Sequence, residues 1–294
     1  MKGIFSTSIL SKRIKRRDFL IAAALGVLGG GVVPQALAQN LNIIPSTPAG
    51  INDDDIKDYL SKLKNFDKPH KDDIIISGAD YGILRSTVKR LFRLQSYMGH
   101  GYFYTLSFTG GIYMSGKDPA VGKFPASEIE FLEKIFYADA ANYGFLGHKP
   151  IQNINLRINR KEIVRDSLTG SYLYKGAPVE TFKKIKRILG DNVILTSGVR
   201  GLMKQFLLFL NKVYRNNGNV SLASRSIAPP GYSFHGIGDF DVGQAGFGSE
   251  NFTSRFTLSE VYKKLSDLGY LKLRYTENNM LGVRYEPWHI KISA

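Results

Sequence analysis

The chain contains no cysteine. A thiol nucleophile, a disulfide and a thiolate metal site are therefore excluded, and any metal must be held by His, Asp or Glu. Of the five histidines, His235 and His289 stand among other groups capable of chemistry. Residues 233–243 read SFHGIGDFDVG, placing His235 and the carboxylates Asp239 and Asp241 within seven residues, between glycines that permit close backbone approach to a bound group. In an extended strand Asp239 and Asp241 share a face. Asp241, followed by Val242 and Gly243, reads as the inward carboxylate that closes a metal site, and a surface loop with a turn-forming aspartate would carry the same letters. Residues 284–290 read RYEPWHI. Pro287 forbids a regular helix there, and a proline-fixed turn could present Glu286 and His289 to one point, with Trp288 as a wall. Residues 196–200, TSGVR, read as a strand end and glycine turn delivering Arg200, a side chain suited to clamping a carboxylate. His70, His100 and His148 have no partner at ligand spacing and read as surface or structural histidines.

Together these segments resemble the zinc D,D-peptidases, a family that includes D-Ala-D-Ala carboxypeptidases, vancomycin-resistance carboxypeptidases and dipeptidases, and phage endolysins. Its signature is S-x-H-x-x-G-x-A-x-D, followed near the C-terminus by E-P-W-H. Ser233, His235 and Gly238 fall at the family spacing, and Glu286, Pro287, Trp288 and His289 match throughout. Ser197, Gly198 and Arg200 with Gln205 resemble the family's S-G-x-R…Q segment, and the likeness runs from about Asp72 to Ile292. One position departs. The family's metal Asp lies seven residues after the His, where this chain has Val242; Asp241 comes one earlier, as after a one-residue deletion, and Asp239 is the competing ligand.

The resemblance implies a hedgehog/D,D-peptidase-like metallopeptidase fold and one Zn2+ per chain, held by His235, Asp241 and His289. It implies that Glu286 takes a proton from zinc-bound water, and that Arg200 faces the scissile carbonyl or the terminal carboxylate. Ser233, Gln205, Trp288 and Tyr285 are implied as substrate-binding or pocket-lining residues. The implied substrate is a peptidoglycan stem peptide, cleaved as a D-Ala-D-Ala carboxypeptidase. A cross-link endopeptidase and a D,D-dipeptidase are alternatives on the same fold, and a non-catalytic wall-binding protein is an alternative of another class. A sugar-cleaving enzyme would need paired carboxylates across a groove, for which Asp239 and Asp241 are too near in sequence and badly placed, and the serine D,D-peptidase motifs do not occur in a mutually consistent order.

To bring these segments to one point, the chain needs a frame. Leu84, Val88, Leu91, Phe92 and Leu94 recur at helical spacing. A second helix is expected over 127–143, with Ser127 as N-cap and Glu130 at the capping-box position. Further on, a short strand and a helix are expected over 172–190, a strand over 193–196, and helices over 201–213 and 257–268. Strands over 270–275 and 282–285 would be joined by a turn at 277–279. Helices first and short strands later give an α+β fold with a small antiparallel sheet. The expected organisation is a signal peptide at 1–38, a linker or lead-in at 39–71, a mainly helical part at 72–190 and a zinc-binding catalytic core at 191–294.

Residues 12–38 combine a basic stretch, an apolar stretch from Phe19 to Val33 and the small-x-small end Ala36-Leu37-Ala38, the pattern of a signal peptide cleaved before Gln39. Arg16, Arg17, Phe19 and Leu20 resemble the twin-arginine export motif, which implies the twin-arginine machinery as a partner during export and a periplasmic or extracytoplasmic enzyme without stable membrane insertion. The net charge is +15; six Lys/Arg and one Asp in the first 38 residues account for +5 of it, leaving +10. No zinc-finger or helix-turn-helix spacing accompanies that charge, so nucleic acid is not an expected partner, and an acidic cell-wall polymer fits better. Oligomeric state is left open.

Overall fold

The computed structural model describes residues 53–292. The expected signal peptide, the twin-arginine motif and the lead-in up to residue 52 lie outside the described residues. No helix among the described residues is long and apolar enough to cross a membrane.

The fold is α+β. Its first part is helical: α1 (Asp53–Lys64), α2 (Ala79–Met98), α3 (His100–Tyr104), α4 (Phe108–Ser115) and α5 (Ala126–Tyr137). In α2, Leu84, Val88, Leu91 and Leu94 are buried one or two turns apart. Phe92, expected in that stripe, is 42 % exposed, because it points away from the face that meets the later helices. Part of the expected linker is thus helix α1. The α5 helix starts before its expected cap: Pro125 is the N-cap residue, and its carbonyl accepts from the Glu128 and Ile129 amides, so Ser127 lies inside the first turn.

A hairpin of β1 (Ile163–Arg165) and β2 (Tyr172–Tyr174) follows, then α6 (Ala177–Leu189), β3 (Val193–Ser197), α7 (Leu202–Arg215) and α8 (Val220–Ser224). Next come β4 (Phe240–Gln244), α9 (Glu260–Asp267), capped by Ser259 accepting from the Tyr262 amide, and β5 (His289–Ile290). Strands β3, β4 and β5 form one antiparallel sheet in that order. The strands expected at 270–275 and 282–285 do not form. Only Leu273 bridges Ile290. The backbone groups such a hairpin would use are taken elsewhere: the Gly282 amide donates to the Tyr59 hydroxyl, the Leu281 carbonyl accepts from Leu146, and the Arg284 amide donates to the Arg225 carbonyl.

Two apolar cores result. One joins α2 and α5 to α7, whose Met203, Phe206, Phe209 and Leu210 are fully buried. The other lies between the β3–β5 sheet and α6 and α9, built on Ile185, Leu195, Phe240, Val242, Val261 and Ile290. Alternation along β4 sends Phe240 and Val242 into this second core and turns Asp241 to the opposite face. Asp241 is in register with His289 of β5 and Ser197 of β3. A bulge between Leu195 and Ser197 carries β3 from core-facing Leu195 to Ser197 on the Asp241 side.

Candidate metal and active site

The loops at the β3 end complete that face. The Arg200 amide donates to the His235 carbonyl, and the Val199 amide to Tyr172, tying the glycine turn to both the His235 segment and β2. His235 sits in a short 3-10 turn and its Nδ1–H donates to the Gly198 carbonyl at 2.9 Å, which leaves Nε2 facing Asp241 Oδ1 at 3.2 Å. His289 Nε2–H donates to Asp239 Oδ2 at 3.0 Å, and its Nδ1 lies 3.1 Å from the same Asp241 oxygen. In both rings a partner on one nitrogen fixes the tautomer and frees the other.

The ligand atoms of His235, Asp241 and His289 lie within 4.8 Å of one another, and all three residues are buried. Asp241 Oδ1 is buried and has no hydrogen-bond partner, although it faces two ring nitrogens. Such an orphaned anionic oxygen between two imidazoles fits a shared cation, and this nitrogen- and oxygen-only set suits zinc. Asp239 has a different seat. It accepts from Arg274 Nε at 2.5 Å and from the Ile292 amide at 2.9 Å, behind the His289 ring.

Burial opposes charge at all these groups, but the contacts decide. Asp241 is held well below the usual carboxylate range by His235, His289 and Arg200, which together outweigh burial. Asp239 is held low by His289 and Arg274, again against burial. Burial and the nearby Arg200 push His235 down to about 4. For His289, burial is outweighed by its hydrogen bond to Asp239 and by the adjacent Asp241 charge, and it rises to about 9. Glu286 Oε2 lies 3.9 Å from His289 Nδ1, and burial pushes this carboxyl up to about 7.

These groups open onto a cavity of about 230 Å3, also lined by Arg200, Ser233 and Trp288. Arg200 does not stand free in it. Its Nη2 donates to Asp241 Oδ2 at 2.8 Å and its Nε to Ser197 Oγ at 2.9 Å. Gln205 borders the cavity, but both amide ends serve the backbone: Oε1 accepts from the Gly231 amide and Nε2 donates to the Arg200 carbonyl. Tyr285 corrects the expectation. It does not line the cavity, because extended backbone turns Arg284 and Glu286 inward and Tyr285 outward, where its hydroxyl pairs with Tyr262 at 3.0 Å. Sequence reasoning missed Tyr275, whose ring packs on His289 with centroids 5.2 Å apart, and Arg284, which lies between the Phe66 and Trp288 rings. The alternation of residues 284, 286 and 288 was the available signal for Arg284.

A buried His/Asp/His trio beside a buried carboxyl, in a cleft, has the groups that a metallopeptidase requires. Residues 177–293, a stretch of 117 among the chain's 294 residues, match the family model described as VanY: D-alanyl-D-alanine carboxypeptidase. At the family level, this match supports a peptidoglycan hydrolase activity of the D-alanyl-D-alanine carboxypeptidase type. The match begins at Ala177, so the likeness expected from Asp72 onward is carried by the later part of the chain.

No curated protein matches the chain. Among solved structures, the LdcB LD-carboxypeptidase is 21 % identical, with 46 % of this chain and 69 % of that one covered and a TM-score of 0.38. A mutant of the vancomycin resistance D,D-pentapeptidase VanY, in complex with Zn(II), is 24 % identical over 49 % of this chain and 84 % of its own, with a TM-score of 0.37. VanYB in complex with D-alanine-D-alanine is 24 % identical over 49 % and 82 %, with a TM-score of 0.38.

Proposed function

We propose that the domain removes the terminal D-alanine of peptidoglycan stem peptides as a zinc D-Ala-D-Ala carboxypeptidase. The reading rests above all on the convergence of His235 Nε2, His289 Nδ1 and the unpartnered Asp241 Oδ1, with Glu286 beside them. These three atoms would hold one zinc ion, which supplies a Lewis acid for the scissile carbonyl and acidifies water. Glu286 takes a proton from the attacking water as the new C–O bond forms, and returns it to the amine as the C–N bond breaks. Arg200 fixes Asp241 through Oδ2, and its remaining N–H groups can meet the developing oxyanion. Ser233 and Trp288 contact the peptide, whereas Gln205 shapes the loop that carries Arg200. Asp239 orients His289 and is not itself a ligand. We place the mature enzyme in the periplasm or another extracytoplasmic space after twin-arginine export, and N-terminal sequencing of the mature protein should begin at Gln39.

The test is mass spectrometry of a stem pentapeptide ending in D-Ala-D-Ala, incubated with the protein with and without chelator, alongside Glu286→Ala. Expected is chelator-sensitive loss of one D-alanine, reduced roughly 10²- to 10⁴-fold in the variant. Release of intact D-Ala-D-Ala would make the enzyme a dipeptidase, and cleavage of cross-linked wall alone an endopeptidase. No cleavage of either substrate by metal-loaded protein would leave wall binding without catalysis.

A further inference from the structure

Arg284 is a cation of the cleft with no ion-pair contact among the described residues. It lines the cavity beside Glu286. Its guanidinium sits 4.8 Å from the Phe66 ring centroid and 4.9 Å from that of Trp288. Its Nε is buried with no hydrogen-bond partner. Among the described residues the guanidinium has no carboxylate in ion-pair range, in contrast with Arg90, Arg200, Arg225 and Arg274, each of which is paired with Glu128, Asp241, Asp73 or Asp239 respectively. A planar cation held between two aromatic faces is pre-organised in its plane, with its N–H edge left for a ligand. An unsatisfied buried donor is costly to leave unmade. The backbone is held too: the Arg284 amide donates to the Arg225 carbonyl at 2.8 Å, and Phe66 is fixed by its own carbonyl accepting from Arg225 Nε at 3.3 Å.

We propose that Arg284 is a specificity-determining residue that binds a carboxylate of the peptide substrate through its free N–H edge, with Phe66 and Trp288 holding the guanidinium in place. The proposal rests on the peptide-hydrolase reading above. The side chains otherwise suited to this task are committed: Arg200 to Asp241 and Ser197, and Gln205 to the backbone. Two substrate carboxylates share this chemistry, the C-terminal one and the side-chain carboxylate of a diamino diacid at the third position. The phenyl ring of Phe66 comes from outside the family-matched residues, so this recognition element is built partly by the region before the hydrolase domain.

Trp288 is the sole tryptophan of the chain and touches Arg284, so its fluorescence reports the site directly. The zinc-loaded full chain is titrated with N-acetyl-D-alanine and with N-acetyl-D-alaninamide. Expected is a response at roughly 10- to 100-fold lower concentration for the acid, with this preference lost in Arg284→Gln and partly restored in Arg284→Lys. Steady-state kinetics then compares pentapeptides with a free or amidated C-terminus, and with lysine or diaminopimelate at the third position. Arg284→Gln should raise KM more than it lowers kcat, and only for the peptide bearing the carboxylate that Arg284 reads. An effect that follows the C-terminus assigns the terminal carboxylate, and one that follows the third residue assigns the internal one. If the wild-type protein answers acid and amide equally and its KM is blind to both carboxylates, the proposal is overturned; if Arg284→Gln does not fold, that wild-type comparison and Arg284→Lys still decide. A wild-type protein that binds the acid selectively yet cleaves no peptide would leave Arg284 standing and remove the hydrolase reading.

Discussion

His289 is clamped between Asp239 and Asp241, and in the metal-free protein those contacts raise it to about 9. Its Nδ1 must be deprotonated to take a metal. At pH 7.5 zinc binding should therefore release about one proton, read by titration calorimetry in two buffers of different ionisation enthalpy; equal heats in both would remove His289 from the ligand set or its charge from the metal-free state. A folded pKa raised above the ordinary 6.5 contributes fully below 6.5, and the contribution is lost as pH rises through about 9, so metal-free protein should weaken over that interval. Asp239→Asn keeps the shape but removes the charge behind His289, and zinc affinity should drop roughly 10- to 100-fold, measurable by competition with a chromogenic chelator. At this scale the motif residues were legible because the chemistry restricts residue type. The seat of Asp239 was not: it precedes β4, so the strand alternation that pairs it with Asp241 does not govern it.

The element that sets the geometry is the end of β3. Gly198 carries the carbonyl that orients His235, and a Cβ there would lie 1.9 Å from the Tyr172 carbonyl oxygen. Gly198→Ala must push β2 and the turn apart, so it should destabilise the protein by about 1–3 kcal/mol and lower bound zinc. Thermal unfolding and metal analysis of the purified variant check both, and an unchanged midpoint with full metal content would refute this account. Helices with a single buried stripe, such as α2, and the strand at Val193 could be read from periodicity. The segment from 270 to 285 could not. Its residues have strand character, but its backbone partners are Tyr59, Leu146 and Arg225, which no local pattern announces.

Across the whole molecule, the segment between α1 and α2 is fastened by a buried ion pair. Arg225 Nη1 donates to Asp73 Oδ1 at 2.7 Å, and the Asp73 and Arg225 side chains are 3 % and 6 % exposed. Burial raises the Asp73 carboxyl, but Arg225 and the His70 amide outweigh it and hold it low. That contribution is present above the ordinary value near 3.8 and is lost as pH falls through the lowered one. Asp73→Ala strands a buried cation and should cost about 3–5 kcal/mol in chemical denaturation, whereas a loss under 1 kcal/mol would mean that the segment between α1 and α2 is not part of the cooperative unit. The net charge of +10 beyond residue 38 adds attraction to acidic wall polymers, a property of the whole surface and not of the site.

Helix α7 lies within the family-matched residues, yet its apolar face is buried in the helical core built by α2 and α5. A gene fragment encoding the hydrolase family's residues alone would thus bring Met203, Phe206 and Leu210 into water. Any transfer of residues 177–293 to another protein would therefore have to carry the helical neighbour as well, or supply another apolar surface of the same shape.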